Sequence, residues 1–137
     1  MQATISTPPQ EIDWTALRPK VTQELLQEIT QRIVQSFHPS QVILFGSYAY
    51  GTPNRESDID LLVIMDSSET MPQRIGRVRE VARVRFLPMD VIIYTPAEVQ
   101  KRIEMGDFFV KEILEKGRVL YQNDTNGRVG GKSGSGL

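Results

Sequence analysis

The chain has 137 residues, of which 16 are basic and 17 acidic, so its formal net charge is -1. That balance gives the whole chain no general attraction for nucleic acid or for an anionic membrane, and no direct nucleic-acid binding is expected. The absence of cysteine excludes disulfides and thiolate metal ligands, and a single histidine cannot form a zinc site alone. No apolar run is long enough to span a membrane, and the polar start lacks a signal-peptide core, so we expect a cytoplasmic protein.

The composition indicates one folded domain between two polar ends. Residues 1–18 contain Thr7-Pro8-Pro9 and an isolated Trp14, which is typical of a flexible arm. Residues 123–137 consist largely of Gly, Asn and Ser, which is typical of a disordered tail. The folded domain is therefore predicted at residues 19–122.

Apolar spacing predicts the elements of that domain in chain order. A helix begins near Pro19 and ends at His38-Pro39, and strands follow at Val42–Phe45 and Asp58–Met65. A helix over Arg74–Phe86, with Phe86 in the core, precedes a strand at Met89–Tyr94. A capping box predicts a helix from Thr95, a last helix spans Asp107–Lys116, and Val119–Tyr121 closes the sheet. This order predicts an α/β (α+β) fold in which helices pack on a small mixed β-sheet.

Two carboxylates lie where a buried strand begins. Side chains two residues apart on a strand point to the same face, with Cα atoms about 6.5–7 Å apart. Asp58 and Asp60 therefore point the same way, just before the apolar run that follows Asp60. Carboxylates held this close repel one another unless a cation lies between them. Mg²⁺ prefers such oxygen ligands and leaves coordination positions for water and phosphate.

A third carboxylate and a glycine turn complete the candidate site. Asp90 begins another apolar strand, and if the two strands are neighbours it joins Asp58 and Asp60 around one or two metal ions. Gly46-Ser47 follows the first strand, where glycine allows close backbone approach to a ligand. Free N–H groups at the start of a short helix near Ser47, together with its hydroxyl, would bind phosphate oxygens.

These residues resemble a known superfamily. Gly46-Ser47, ten intervening residues and then Asp58-Ile59-Asp60, with Asp90 on a later strand, closely resemble the DNA polymerase beta-type nucleotidyltransferases. The short chain is similar to their minimal nucleotidyltransferase branch, single-domain proteins often partnered with HEPN-domain toxins. The resemblance covers roughly residues 20–122.

The resemblance implies specific roles. Asp58 and Asp60 would hold two Mg²⁺ ions, and Asp90 would bind the catalytic metal and help deprotonate the acceptor hydroxyl. Gly46 and Ser47 would grip the terminal phosphates of ATP. The implied function is that of an antitoxin which transfers AMP from ATP to a tyrosine of its HEPN toxin, with which it would form a hetero-oligomer.

Two alternatives and one departure accompany this interpretation. The chain has Tyr50 where many family members carry a basic residue, so Arg55, or one of Arg74, Arg77 and Arg79, could replace that phosphate contact. Each helical arginine is more simply interpreted as part of a solvated face. The alternative functions are neutralisation of the toxin by binding alone and transfer to a small-molecule hydroxyl. Phe108, Phe109 and Ile113 are expected in the core rather than at an interface.

Overall fold

The structure is a computed structural model that describes residues 13–54 and 56–123. Within these residues a 3-10 helix precedes five α-helices and four strands. In chain order they are the 3-10 helix Trp14–Leu17, α1 (Gln23–Phe37), β1 (Gln41–Phe45), α2 (Ser47–Tyr50), β2 (Ile59–Ile64), α3 (Met71–Ala82), β3 (Met89–Tyr94), α4 (Pro96–Glu104), α5 (Phe108–Lys116) and β4 (Arg118–Gln122).

The helix ends follow local side-chain chemistry. Thr95 accepts a hydrogen bond from the Glu98 N–H, and the Glu98 side chain accepts one from the Thr95 N–H, so the predicted capping box starts α4. A second capping box, Thr70 with Gln73, starts α3 three residues before the predicted position. His38 ends α1 in a left-handed conformation with φ 50°, which confirms the end predicted at His38-Pro39.

The four strands form one mixed sheet in the order β3-β2-β1-β4. Strand β1 pairs antiparallel with both β2 and β4, whereas β2 and β3 are parallel and are joined by a crossover through α3. The predicted α/β fold with a mixed sheet is confirmed. The parallel pair is what aligns the two strand starts that carry acidic residues, because parallel neighbours enter a sheet at the same edge.

Helices cover both faces of the sheet. Alternate residues of each strand, such as Leu61 and Val91, face α1 and α3 in the larger apolar cluster. The other set, including Phe45 and Leu62, faces α4 and α5 in a smaller cluster. Burial on both faces explains why β1 and β2 are nearly continuous apolar runs rather than alternating ones.

The helix that precedes β3 is shorter than predicted. Helix α3 ends at Ala82, and Val84 forms an isolated antiparallel bridge with Leu87. The prediction that Phe86 belongs to the core is wrong, because its side chain is 39% exposed and its φ is +65°. The apolar spacing continues past Ala82, but the chain leaves the helix to turn back into the sheet.

The start of α5 also differs from expectation. Ile113 is buried as predicted, but Phe108 and Phe109 are 83% and 52% exposed, so their predicted burial is wrong. The Asp107 side chain caps α5 by accepting hydrogen bonds from the N–H groups of Phe109 and Val110. Phe108 and Phe109 therefore lie in the first turn of this helix. The Phe109 ring still forms a T-shaped contact with the Phe45 ring, at a centroid distance of 5.6 Å.

Most of the predicted arm (1–18) and tail (123–137) lies outside the described residues. Of the arm, the structure describes the 3-10 helix and Arg18, whose guanidinium donates a hydrogen bond to the Ser57 carbonyl at 2.9 Å. Of the tail, it describes Asn123, whose N–H donates to the Ser40 carbonyl. Among the helices at 13–54 and 56–123, none combines the length and apolar character needed to cross a bilayer.

Candidate active site

The parallel register of β2 and β3 brings two predicted site residues side by side. Asp60 pairs with Asp90, and Phe45 of β1 lies opposite Asp60 on its other side. Paired residues of neighbouring strands point to the same face, so both carboxylates lie on the face that carries α4 and α5. Asp58 lies two residues before Asp60, just ahead of β2. The conditional prediction that the two strands are neighbours is confirmed.

The electrostatics of Asp60 reflect this crowding. The pKa of the Asp60 carboxyl is raised from 3.8 to about 6, chiefly by burial and in addition by the negative charges of Asp90 and Asp58. Within the residues the structure describes, none of these three carboxylates makes a hydrogen bond or ion pair with a cationic side chain. A half-buried carboxylate beside two like charges is stabilised by a bound cation.

Gly46 lies directly against Asp60. Its φ is +74° with ψ -163°, a combination that side chains of L-residues rarely permit. A Cβ at this position would lie 2.2 Å from Oδ2 of Asp60, far inside van der Waals contact. Glycine is therefore required here both by the backbone conformation and by the closeness of the carboxylate, which places the predicted turn beside the predicted metal ligand.

The short helix α2 follows this glycine. The N–H groups of Ala49 and Tyr50 donate to the Gly46 carbonyl, and the Thr52 N–H donates to the Ser47 carbonyl. These bonds do not use the N–H groups of Ser47 and Tyr48, which begin the turn. The predicted helix start is thus present at Ser47, and two backbone donors follow the glycine that touches Asp60.

The chemistry of the donor set fits a hard divalent cation, because three carboxylates supply only oxygen ligands. Their side chains, as oriented, do not form a cage: within 13–54 and 56–123 no three His, Cys, Asp or Glu side chains are grouped closely enough to hold a metal ion. The sheet register holds the backbones of Asp60 and Asp90 side by side. Asp58 is close enough for its charge to act on Asp60.

Two of the arginines considered as phosphate contacts have other partners. Arg74 is only 6% exposed, so the expectation that it lies on a solvated face is wrong. Its guanidinium binds both carboxylate oxygens of Glu98, at 2.7 and 3.2 Å, and also donates to the carbonyl oxygens of Glu69 and Ile93. Arg77 pairs with Glu69 at 3.0 Å and lies over the Phe37 ring. Arg55 lies outside the described residues, and Tyr50 is 43% exposed.

The Arg74–Glu98 pair is a structural feature that the sequence reasoning missed. The hydrogen bond from Arg74 lowers the pKa of Glu98, although burial opposes this shift. Since Glu98 also caps α4 through Thr95, one carboxylate ties α3 to the start of α4. The available signal was the capping box itself, which fixes the position of Glu98 next to the end of β3.

The solved structures that match this chain share little sequence with it. A Sulfolobus solfataricus protein described as a "putative nucleotidyltransferase" has 23% identity and a TM-score of 0.48, covering 69% of this chain and 84% of its own. A toxin-antitoxin complex crystallised with AMP-PNP has 17% identity and a TM-score of 0.43, covering 73% of this chain and 76% of its own.

Sequence relatives assign the family. Three proteins of Methanocaldococcus jannaschii carry the name "Putative protein adenylyltransferase". One is 42% identical over 113 residues, which is 77% of this chain and 75% of the relative. The other two are 35% and 32% identical over 85 and 77 residues, 59% and 56% of this chain and 77% and 74% of the relatives. The family model described as "Nucleotidyltransferase domain" matches residues 24–120. The chain therefore belongs to the nucleotidyltransferase domain family and is a nucleotidyltransferase.

Proposed function

We propose that this nucleotidyltransferase acts in the cytoplasm and transfers AMP from ATP to a tyrosine hydroxyl of a partner protein. The observation that carries the proposal is the pairing of Asp60 with Asp90, with the Asp60 carboxylate against Gly46. The names of the Methanocaldococcus relatives support a protein as the acceptor. The sequence resemblance supports a HEPN-domain toxin as the partner. The chain would bind this toxin in a hetero-oligomer and silence it by the modification.

Gly46 and Ser47 bind the terminal phosphates of ATP in this proposal. The absence of a side chain at Gly46 lets phosphate oxygens approach the backbone closely, and the N–H groups of Ser47 and Tyr48 then act as donors. The Ser47 hydroxyl adds one more donor. Tyr50, in place of a basic residue, offers no positive charge, so the loss of one charge-assisted bond weakens binding by about 1.5–3 kcal/mol.

Asp58, Asp60 and Asp90 are the proposed ligands of Mg²⁺, with two ions in the full site. When bound there, the metal supplies positive charge that offsets the charges of the phosphates and of the carboxylates. The raised pKa of Asp60 supports this role, because the same surroundings that disfavour a lone carboxylate favour a cation beside it.

The chain's own residues orient the reaction. The acceptor oxygen attacks the α-phosphorus, the bond from that phosphorus to the bridging oxygen breaks, and pyrophosphate leaves with the bonding electrons. Asp90 is more exposed than Asp58 and Asp60. It accepts the proton of the acceptor hydroxyl and passes it to water. Gly46 and Ser47 hold the leaving pyrophosphate in line with the attacking oxygen.

The test is incubation of the chain with Mg²⁺, ATP labelled at the α-phosphate and the purified partner protein. We expect label on the partner, with mass increments of AMP, and loss of that label in Asp60→Asn. The matched control is Asp66→Asn, which removes the same charge from an exposed position just past β2 and leaves transfer unchanged. Transfer that persists in Asp60→Asn, with the label equal to wild type, would refute the assignment.

The same assay separates the two alternatives from the proposal. Neutralisation of the toxin by an Asp58→Asn/Asp60→Asn variant, with no label on the partner, would establish binding alone as the mechanism. Label recovered on a small molecule would establish a small-molecule hydroxyl as the acceptor. Intact-mass analysis of a partner purified together with the chain identifies the donor nucleotide as well, because each nucleotide adds its own mass.

A further inference from the structure

A pocket of about 690 Å³ lies near the start of β3, on the face of the sheet that α1 and α3 cover. The acidic residues lie at the same edge of the sheet but on its opposite face. The pocket is formed by the 3-10 helix, the end of α3 and the chain that leads into β3. Its four charged lining residues are all arginines: Arg18, Arg79, Arg83 and Arg85. We call it the arginine pocket. Its volume is that of a ligand-binding site rather than of a packing defect.

Among residues 13–54 and 56–123, the arginines of this pocket have no acidic partner. No acidic residue of the described ranges lines the pocket, and none of the four guanidinium groups forms an ion pair with a residue of those ranges. Arg18 donates to a backbone carbonyl, and Arg85 lies over the Phe86 ring at 5.0 Å. Within the part of the chain that the structure describes, four arginines without an acidic partner thus meet in one concave site, which favours a ligand with negative charges.

The lining of the pocket also includes apolar residues, two of which are exposed aromatic side chains. Trp14 is 58% exposed and Phe86 is 39% exposed, and their rings lie 6.0 Å apart. Phe86 has a φ of +65°, a left-handed backbone conformation that bulky residues rarely adopt. Strain that keeps an aromatic ring at the surface indicates a role in binding. Trp, Phe, Met and Arg are also the residues enriched at the centres of protein interfaces.

The arginine pocket adjoins the candidate active site along the chain. Arg18 binds the carbonyl of Ser57, the residue before Asp58. Met89 lines the pocket and directly precedes Asp90, and the Pro88 carbonyl accepts the N–H of Ile59 at 3.1 Å. A segment held in the pocket therefore lies beside the edge at which the acceptor hydroxyl has to arrive.

We propose that the arginine pocket docks a short acidic segment of the acceptor protein, with carboxylates on the arginines and an apolar side chain on Trp14 and Phe86. This inference rests on the proposed function, in that the acceptor is a protein. A single-stranded nucleic acid also combines negative charge with flat rings, but it binds along an extended basic groove. Here the unpaired arginines are gathered in one pocket, and the chain as a whole is not basic.

The test measures binding by NMR, in buffer without metal or nucleotide. The probe is the synthetic peptide Glu-Glu-Leu-Tyr-Glu-Asp, and its matched control replaces each Glu by Gln and Asp by Asn. We expect the acidic peptide to shift the Trp14 indole resonance and the amides of residues 84–87, with an affinity that falls as salt rises. Arg83→Ala/Arg85→Ala should weaken binding at least tenfold, whereas Lys101→Ala/Lys111→Ala, which removes two charges elsewhere, should not.

Three outcomes would overturn the inference. They are equal binding of the neutral peptide, no shifts up to millimolar peptide, and tighter binding of an eight-nucleotide single-stranded DNA to the same resonances. Arg83→Lys/Arg85→Lys keeps the charge, and its partial recovery of binding separates loss of charge from misfolding. If the acidic peptide binds but no AMP is transferred to a partner protein, the proposed function is wrong, while the arginine pocket remains a site for acidic segments. AMP transfer to a partner at wild-type KM by Arg83→Ala/Arg85→Ala would defeat the pocket and leave the proposed function intact.

Discussion

Replacing Gly46 with alanine tests the contact between the glycine turn and the acidic pair. The added Cβ would lie 2.2 Å from Oδ2 of Asp60, so the carboxylate has to withdraw by about 1 Å to restore ordinary contact. Alanine also has to adopt φ +74° and ψ -163°. The substitution therefore acts on the backbone and on the position of Asp60 together.

The two effects have different magnitudes. A residue forced into such a sparsely populated backbone conformation loses about 1–3 kcal/mol of folding stability. A displacement of about 1 Å in a group that positions the reacting atoms lowers the rate by about 100-fold. We expect Gly46→Ala to remain folded at room temperature, because that loss is smaller than the stability of an ordinary domain, about 5–15 kcal/mol.

The assay compares AMP transfer with urea unfolding in Gly46→Ala and Gly106→Ala. Gly106 is a matched control because its φ is +81°, yet a Cβ there meets nothing within 4 Å. Both variants should lose stability, but only Gly46→Ala should lose most of its transfer activity. Equal activity in the two variants would refute the reasoning, since it would mean that the contact with Asp60 has no part in the reaction.

Three further predictions concern charged residues. Asp60→Asn should make the metal-free protein more stable by about 1–2 kcal/mol at pH 8 but not at pH 3. The pKa of Asp60 in the folded protein, about 6, lies above its ordinary value of 3.8, so the free energy of unfolding of the wild type falls as pH rises between these two values. Urea midpoints that the substitution leaves unchanged at pH 8 would contradict this. Arg74→Ala should cost about 2–3 kcal/mol at pH 7. Because the pKa of Glu98 is lowered, that difference should shrink on acidification below 4.5, and a constant difference in urea midpoints would oppose it. Asp90→Asn should lower kcat for AMP transfer at least 100-fold, with unfolding unchanged, and a wild-type kcat would exclude Asp90 as the base.

Local signals were sufficient to predict the elements that carry the site. Strand β3 has the predicted bounds, α2 begins at Ser47, and the Thr95–Glu98 capping box starts α4 as expected. Each of these depends on neighbouring residues alone. The grouping of Asp60 with Asp90 depended on a long-range fact, the parallel pairing of β2 with β3, which the sequence could state only as a condition.

The errors share a cause. Helical spacing predicts Phe86 in the core, and the burial tendency of phenylalanine predicts the same for Phe108 and Phe109, but Phe86 lies in the turn after α3 and the other two in the first turn of α5, where all three are exposed. Arg74 shows the reverse case: its charge predicts exposure, whereas Glu98 and two backbone carbonyls from other parts of the chain satisfy its donors in the interior. Side-chain burial at element ends is decided by tertiary neighbours, and these are not visible from local spacing.

The parallel pairing of β2 and β3 has a consequence for how the enzyme is inactivated. Its ladder runs from Ile59 to Ile64 and from Met89 to Tyr94, through fully buried residues such as Leu61 and Ile93. The acidic neighbours at the start of that ladder separate only when the central sheet itself opens. Heat or urea should consequently abolish turnover and disrupt the sheet at one midpoint, with amide exchange in β2 as slow as whole-molecule unfolding allows.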